Sequence, residues 1–375
     1  MASARWPEGL RVALTTALAV PVGALACCLV GCASLRLPGA IARPVSDRWH
    51  QKETPLTGGF ALLAGLLLAL VAGATDEHVD QKLWVVLAAG VAAFVIGFCD
   101  DNLLIGPRTK FAGQVAIGAG AASVIHPAWL PTAAAVPTAC FVLVAAMNSF
   151  NFLDNIDGLA AGTAAIAAGT LALMTFLVSE PGVVRILAFA VVGTCIGFLP
   201  LNYRRGRPAA LFMGDSGSHL LGLLVGACAL LATPGGAGGV SVTVVAPLLI
   251  LALPILDTSL VILIRLAERR PVWRGGRDHL SHRLVYVGLG EHQAVAALLL
   301  LAAACSGTAL LVIAFEDPLV TGAAAGAVVA LLVGLSSRLA LVREPSTVTD
   351  LMVTDLLTRQ EAAQLEPLPE HAHAR

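Results

Sequence analysis

The sequence predicts an all-α fold, a polytopic bundle of membrane-spanning helices, on three observations. Apolar residues fill 57% of the 375 positions and only 13% are charged, about half the charged share of a soluble domain. Mean hydropathy is +0.84. The apolar residues come in runs long enough to cross about 30 Å of hydrocarbon, and the polar residues are confined to short gaps between them.

About eleven runs qualify as spans: roughly 12–35, 59–75, 83–99, 111–126, 128–147, 158–178, 183–201, 217–233, 239–264, 292–315 and 319–337. Pro21, Pro247 and Pro254 fall inside them, which packed membrane helices tolerate. Residues 1–337 therefore read as one membrane domain. Residues 338–375 read as a cytoplasmic tail, helical around Thr349–Leu365 and then disordered.

Charge is sorted between the gaps. Of the 23 Lys and Arg, only Arg5, Arg11, Lys82 and Arg185 fall on one side, leaving 19 on the other. The positive-inside rule makes the basic side cytoplasmic. The N-terminus is then outside and the C-terminus inside, as an odd number of spans requires. The polar-rich loops are all on the cytoplasmic side, so the chemistry is expected there. A net charge of −1 gives no footprint for nucleic acid. The eight cysteines sit in or beside apolar runs and form neither a disulfide framework nor a metal cluster. Leu-Val-Gly-Cys32 after Arg11 looks like a lipoprotein signal, but the chain stays hydrophobic beyond it, so 12–35 reads as a retained helix.

Six constellations carry chemistry. Asp100 and Asp101 follow the third run, with Arg108 and Lys110 behind them. Adjacent carboxylates near hydrocarbon need a cation, a metal or water. Asn148, Asn151, Asp154 and Asp157 recur every third position, so a helix would present them on one face. That face suits sugar hydroxyls, a nucleotide or a cation. Asp215 lies in a glycine-flanked helix start, Phe212–His219, where backbone N–H groups attract phosphate. Arg204, Arg205 and Arg207 precede it and suit either phosphate or anionic lipid. Asp257 is a lone carboxylate in an apolar run, read as a site residue or as a hydrogen bond to a neighbouring helix. Arg277, His279, His282 and Arg283 form a basic loop. Two histidines without a third ligand are a weak zinc signal, so an anion or substrate site is more economical. Lys52, before Pro55 and Gly58-Gly59, offers a point charge at phosphate height.

From about Lys52 to Leu284 the chain resembles the polyprenyl-phosphate N-acetylhexosamine-1-phosphate transferases. These membrane enzymes start bacterial envelope glycans, with a eukaryotic branch that starts N-glycans. FCDDNLLIGPRTKFAGQ (98–114), NSFNFLDNIDGLAAG (148–162) and FMGDSGSHLLG (212–222) carry the resemblance by their order and spacing. It implies transfer of a sugar 1-phosphate from a UDP-sugar to a polyprenyl phosphate, with release of UMP. It also implies Mg²⁺, with Mn²⁺ as a substitute, held by Asp215 with Asp100. Asp100, Asp101 and Lys110 become catalytic. Lys52, Asn151, Asp154, Asp157, Asp257, His279 and His282 become substrate-binding, and Asn148, Arg277 and Arg283 join them from the residue patterns above. Asp101 is expected to orient or deprotonate the lipid phosphate. A homodimer is compatible with this reading.

Two positions depart from the family pattern. Where the family often writes Asp-Gly-x-Asp-Gly, the first glycine is Asn155 here; where it often writes His-x-His-His, the chain reads His279-Leu280-Ser281-His282. The second departure argues against UDP-N-acetylmuramoyl-pentapeptide as donor and for UDP-N-acetylglucosamine or a related UDP-sugar. Two rivals are weaker. A CDP-alcohol phosphotransferase would need an arginine after Asp157-Gly158, where Leu159-Ala160-Ala161-Gly162 stands. A transporter or flippase of lipid-linked substrates would place polar residues at mid-membrane.

Overall fold

The computed structural model describes residues 14–36, 41–42, 53–74, 80–127, 129–177, 182–232, 239–273, 275–315 and 317–342. Lys52 and most of the expected tail lie outside these residues. Along the described chain run α1 (Ala19–Ser34), a two-residue β1 (Ile41–Ala42) and β2 (Thr54–Pro55), α2 (Gly58–Gly73), α3 (Gln81–Leu103), α4 (Pro107–Ala122), α5 (Thr132–Leu153), α6 (Leu159–Leu177), α7 (Gly182–Asn202), α8 (Gly214–Leu231), α9 (Gly239–Ile250), α10 (Ala252–Ala267), α11 (Leu280–Tyr286), α12 (Glu291–Phe315) and α13 (Pro318–Ala340).

All eleven runs meet helices, but a count of eleven spans does not follow. Eight helices among the described residues are long and apolar enough to cross a membrane, and a ninth if α9 and α10, bent by 72°, are one span. The bend lies between Pro247 and Pro254, which remove helix hydrogen bonds on either side of it. α2 and α4 have 16 residues each, short of the roughly 20 that a full crossing needs. The chain is a multi-pass membrane protein.

α8 is the axis of the bundle, 89% buried over its apolar window against 11% for α13 at the periphery. α3 and α5 flank α8, α1 packs between α2 and α7, and α6 packs on α7 and α12. Small residues set the spacing, as expected where lipid gives no hydrophobic drive between helices. A side chain at Gly222 would strike the backbone of Ala146 and Met147 on α5, and one at Gly193 or Gly197 would strike α1.

Two helices extend past the ends that hydropathy suggests. α3 continues through Asp100 and Asp101 to Leu103, and α5 through Asn148 and Asn151 to Leu153. Both carry their polar residues into one end of the bundle. There the segments 100–110, 148–157, 202–216 and 265–291 converge.

Candidate active site

Asp101 fixes the start of α8. Its Oδ1 accepts from the Asp215 amide at 2.9 Å and its Oδ2 from the Ser216 amide at 3.1 Å. This satisfies two of the N–H groups that a helix start leaves open. Gly214 makes the turn possible: its φ is +64°, and an added Cβ would lie 2.7 Å from an Asp101 oxygen. Gly97 and Gly59 supply the floor, since a Cβ at either would overlap the backbone of this helix start. Each Asp101 oxygen accepts one backbone amide, which makes the residue a support of the site and leaves each oxygen a further lone pair.

With its backbone held, Asp215 gathers three helices. Lys110 on α4 donates from its ammonium to Asp100 Oδ2 at 2.8 Å and also to Asp215 Oδ2. Asn151 on α5 donates its Nδ2 to Asp215 Oδ1 at 2.9 Å and to Ser218 Oγ at 3.1 Å. Asp100, Lys110 and Asp215 each keep part of their side chains exposed, so the cluster opens to one side.

Behind it runs a relay that the sequence reading missed. His219 Nδ1 donates to the Asp215 carbonyl at 2.6 Å, the Gln114 amide donates to His219 Nε2 at 2.8 Å, and Asn148 Nδ2 donates to Gln114 Oε1 at 2.9 Å. The carbonyl only accepts, so the neutral imidazole carries its proton on Nδ1. Asn148 also donates to the Val144 carbonyl. Its amide hydrogens therefore face into the helix packing.

The turn after α5 carries Asp154, the C-cap, and Asp157. Burial pushes the Asp157 carboxyl up to about 6 against the Ala209 backbone hydrogen bond, with Glu291 adding like charge. Gly158, at φ +84°, donates to Asn202 Oδ1 at 2.7 Å, and Asn202 donates on to the Leu211 carbonyl. A cavity of about 270 Å³ lies beside Asp157, lined by Ile156, Tyr203, Arg207, Glu291 and His292 among others. On another flank, Phe212 donates to the Pro55 carbonyl and Gly58 donates to the Phe212 carbonyl. This pairing holds the segment after Lys52 against the approach to Asp215.

The basic loop docks on the same end. Asp257 is 1% exposed and accepts from His279 Nδ1 and from the Leu280 amide, both at 2.7 Å. It therefore positions the histidine segment, in line with the hydrogen-bond reading of this residue. Arg283 donates to the Asp278 carbonyl and to the carbonyls of Leu339, Ala340 and Val342 at the end of α13. It caps that helix. Burial opposes ionising Asp278, but Arg270 and Arg265 outweigh it and hold the carboxyl below its ordinary range. His279 meets Phe152 edge-on at 5.7 Å and His282 at 5.6 Å. Burial, with His279 and Arg277 nearby, lowers His282 to about 3, so it is neutral near pH 7. The last turn of α5 thus joins the two halves of the site, with Asn151 on Asp215 and Phe152 on His279.

The donor set bears on a metal. Among the described residues no group of three or more His, Cys, Asp or Glu is arranged to hold one. The Lys110 ammonium stands between Asp100 and Asp215, where it offsets their repulsion. Two facing carboxylates open to one side suit Mg²⁺, which takes one or two carboxylates and completes its shell with water and substrate phosphate.

Comparison with known proteins assigns the chain. The model of glycosyl transferase family 4 matches residues 83–233. A probable undecaprenyl-phosphate N-acetylglucosaminyl 1-phosphate transferase of Bacillus subtilis is 27% identical over 278 residues, 70% of this chain and 74% of the relative. A decaprenyl-phosphate N-acetylglucosaminephosphotransferase of Mycolicibacterium smegmatis is 32% identical over 301 residues, 68% of this chain and 71% of the relative. A phospho-N-acetylmuramoyl-pentapeptide-transferase of Synechococcus is 34% identical over 258 residues, 60% of this chain and 72% of the relative. The matched region spans the Asp100, Asn151 and Asp215 segments that the fold draws together, and by this similarity the chain belongs to glycosyl transferase family 4, the polyprenyl-phosphate N-acetylhexosamine-1-phosphate transferases.

Proposed function

We propose that this protein transfers a sugar 1-phosphate, N-acetylglucosamine 1-phosphate in the first instance, from a UDP-sugar to undecaprenyl or another polyprenyl phosphate, releasing UMP. It would thereby start a cell-envelope polysaccharide at the cytoplasmic face of a bacterial plasma membrane. The observation that carries the reading is the meeting of Asp100, Lys110, Asn151 and Asp215 at the start of α8, open at one end of a membrane bundle. The excess of Lys and Arg in the gaps at that end supports the cytoplasmic side.

In the proposed reaction a lipid phosphate oxygen attacks the β-phosphorus of the UDP-sugar. The bond to the bridging oxygen breaks, and UMP leaves with that electron pair. A phosphate monoester is largely ionised near pH 7, so the acceptor needs no strong base and one in-line step suffices. Asp100 and Asp215 would hold Mg²⁺, which when bound offsets the charge of the two phosphates and of the leaving UMP. Lys110 lies where it can pass from the carboxylates to a phosphate oxygen. Asn151 keeps Asp215 in one orientation, and Asp101 keeps the α8 start in place. Asp154 and Asp157, with the cavity beside them, suit the nucleoside end of the donor, and His279, His282 and Arg277 suit its sugar phosphate.

The similarity to the pentapeptide transferase keeps a second donor, UDP-N-acetylmuramoyl-pentapeptide or another UDP-N-acetylhexosamine, as the alternative chemistry. A flippase is disfavoured because the clustered charged groups gather at helix ends instead of lining a path at mid-depth. The test is UMP release by purified protein from a panel of UDP-sugars with polyprenyl phosphate, and reversal by added UMP. No release from any donor would reject the proposal.

A further inference from the structure

We propose that the hydrogen bond between Ser281 and Asn155 is a latch that positions the histidine segment for the donor, making these two residues a coupled pair that tunes donor binding. Ser281 is fully buried, and its Oγ donates to Asn155 Oδ1 across 126 positions of sequence. The Asn155 amide is oriented for this, because its Nδ2 donates to the Phe152 carbonyl at 2.6 Å and so turns Oδ1 toward Ser281.

Other hydrogen bonds tie the histidine segment to α10 and α13: Asp257 holds His279 and Leu280, Arg265 holds Asp278, and Arg283 holds the end of α11 to α13. The Ser281 bond runs instead to the turn that bears Asp154 and Asp157, and it lies between His279 and His282 in the chain. It therefore fixes the spacing between the two histidines and that turn, the two walls between which a nucleotide-sugar would lie. The pair also consists of the two positions at which the chain departs from the pattern it otherwise resembles. A glycine at 155 offers no side-chain acceptor, so the bond depends on the departure at Asn155. Asn155 and Ser281 are positioning residues, since neither needs to touch the substrate for this effect.

The inference rests on the proposed transferase reading for its kinetic part, and hydrogen exchange tests the latch without it. Ser281→Ala, Asn155→Ala, the double variant and Ser281→Thr are compared as full-length protein in detergent. Each alanine variant should raise KM for UDP-N-acetylglucosamine about fivefold, the worth of one net hydrogen bond, with kcat held within about twofold. Amides of Leu280–Tyr286 should exchange faster in both. The double variant should be no worse than either single one, as expected for residues sharing one interaction, and Ser281→Thr should keep wild-type KM. Multiplying effects in the double variant, or unchanged exchange in both singles, would overturn the latch. If wild-type protein releases no UMP from any donor, the transferase reading fails, and the exchange result alone decides the latch.

Discussion

The Asn151 amide donates to one oxygen of Asp215 at 2.9 Å while the Lys110 ammonium binds the other. One carboxylate thus ties α4 and α5 to the start of α8, and its two oxygens are held apart by partners on separate helices. Asp215→Asn keeps the shape but removes the charge that balances Lys110. It also sets an amide NH₂ against either the Asn151 NH₂ or the ammonium. UMP release should fall more than about 100-fold, the scale seen when a group that stabilises charge at a reacting phosphate is lost. The variant should still extract with the membrane fraction. Wild-type turnover in Asp215→Asn would remove this residue from the proposed metal site.

Lys110 gives a test of the metal that does not depend on turnover. Lys110→Met leaves Asp100 and Asp215 facing each other without their shared cation. Removing one partner of a fully buried ion pair costs about 3–5 kcal/mol, and solvent screening makes the loss smaller in this partly exposed cluster, so the variant in EDTA should melt below wild type. Millimolar Mg²⁺ or Mn²⁺ should recover a substantial part of that loss, and more than it adds to wild type, because the cation would take the ammonium's place. Equal shifts in the two proteins would count against a cation site between these carboxylates. Chelation should also abolish UMP release by wild type.

Asp101 and Gly214 are two sides of one contact. Asp101→Ala leaves the amides of Asp215 and Ser216 without their acceptor and should lower stability by about 2 kcal/mol. Gly214→Ala puts a Cβ against the same carboxylate in a backbone conformation that disfavours it. The two losses should not add, since removing the carboxylate relieves the clash. Chemical denaturation of the singles and the double in one detergent measures this. Strict additivity would separate the two residues.

Much of this arrangement was legible in the sequence, and the rest had physical reasons to be hidden. Hydropathy located a helix for every apolar run, because burying or lipid-exposing apolar side chains is a local property. It misjudged the ends of α3 and α5, where Asp100, Asp101, Asn148 and Asn151 look like loop residues but stay helical because other helices supply their partners. The acidic motifs named Asp100, Asp215 and Asn151 correctly as neighbours, whereas Gln114 and His219 pair across 105 positions and leave no periodic trace. Asp257 and Arg283 are chemically plausible ligands in the sequence, and only the packing shows which loop and helix end their polar atoms hold. Length was the other blind spot: the sequence cannot distinguish a 16-residue apolar helix from a full crossing when its neighbours decide where it ends.

Asp157 should make the fold sensitive to pH. Its carboxyl titrates near 6 in the folded protein because burial disfavours the charge, against about 3.9 in an unfolded chain. The folded state therefore binds more protons than the unfolded state between these values, and stability falls as pH rises through that window. Below about pH 4 the group is protonated in both states and contributes no difference. Above about pH 6 the native state carries the full cost of a buried charge, on the order of 3 kcal/mol for a shift of this size. Asp157→Asn removes the titration while leaving an acceptor for the Ala209 amide. The variant should gain on wild type steadily from pH 4 to pH 7 in thermal melts, then hold a constant advantage, while its KM for the UDP-sugar rises if this carboxylate faces the donor. A parallel pH dependence in the two proteins would show that the Asp157 carboxylate is well solvated when folded.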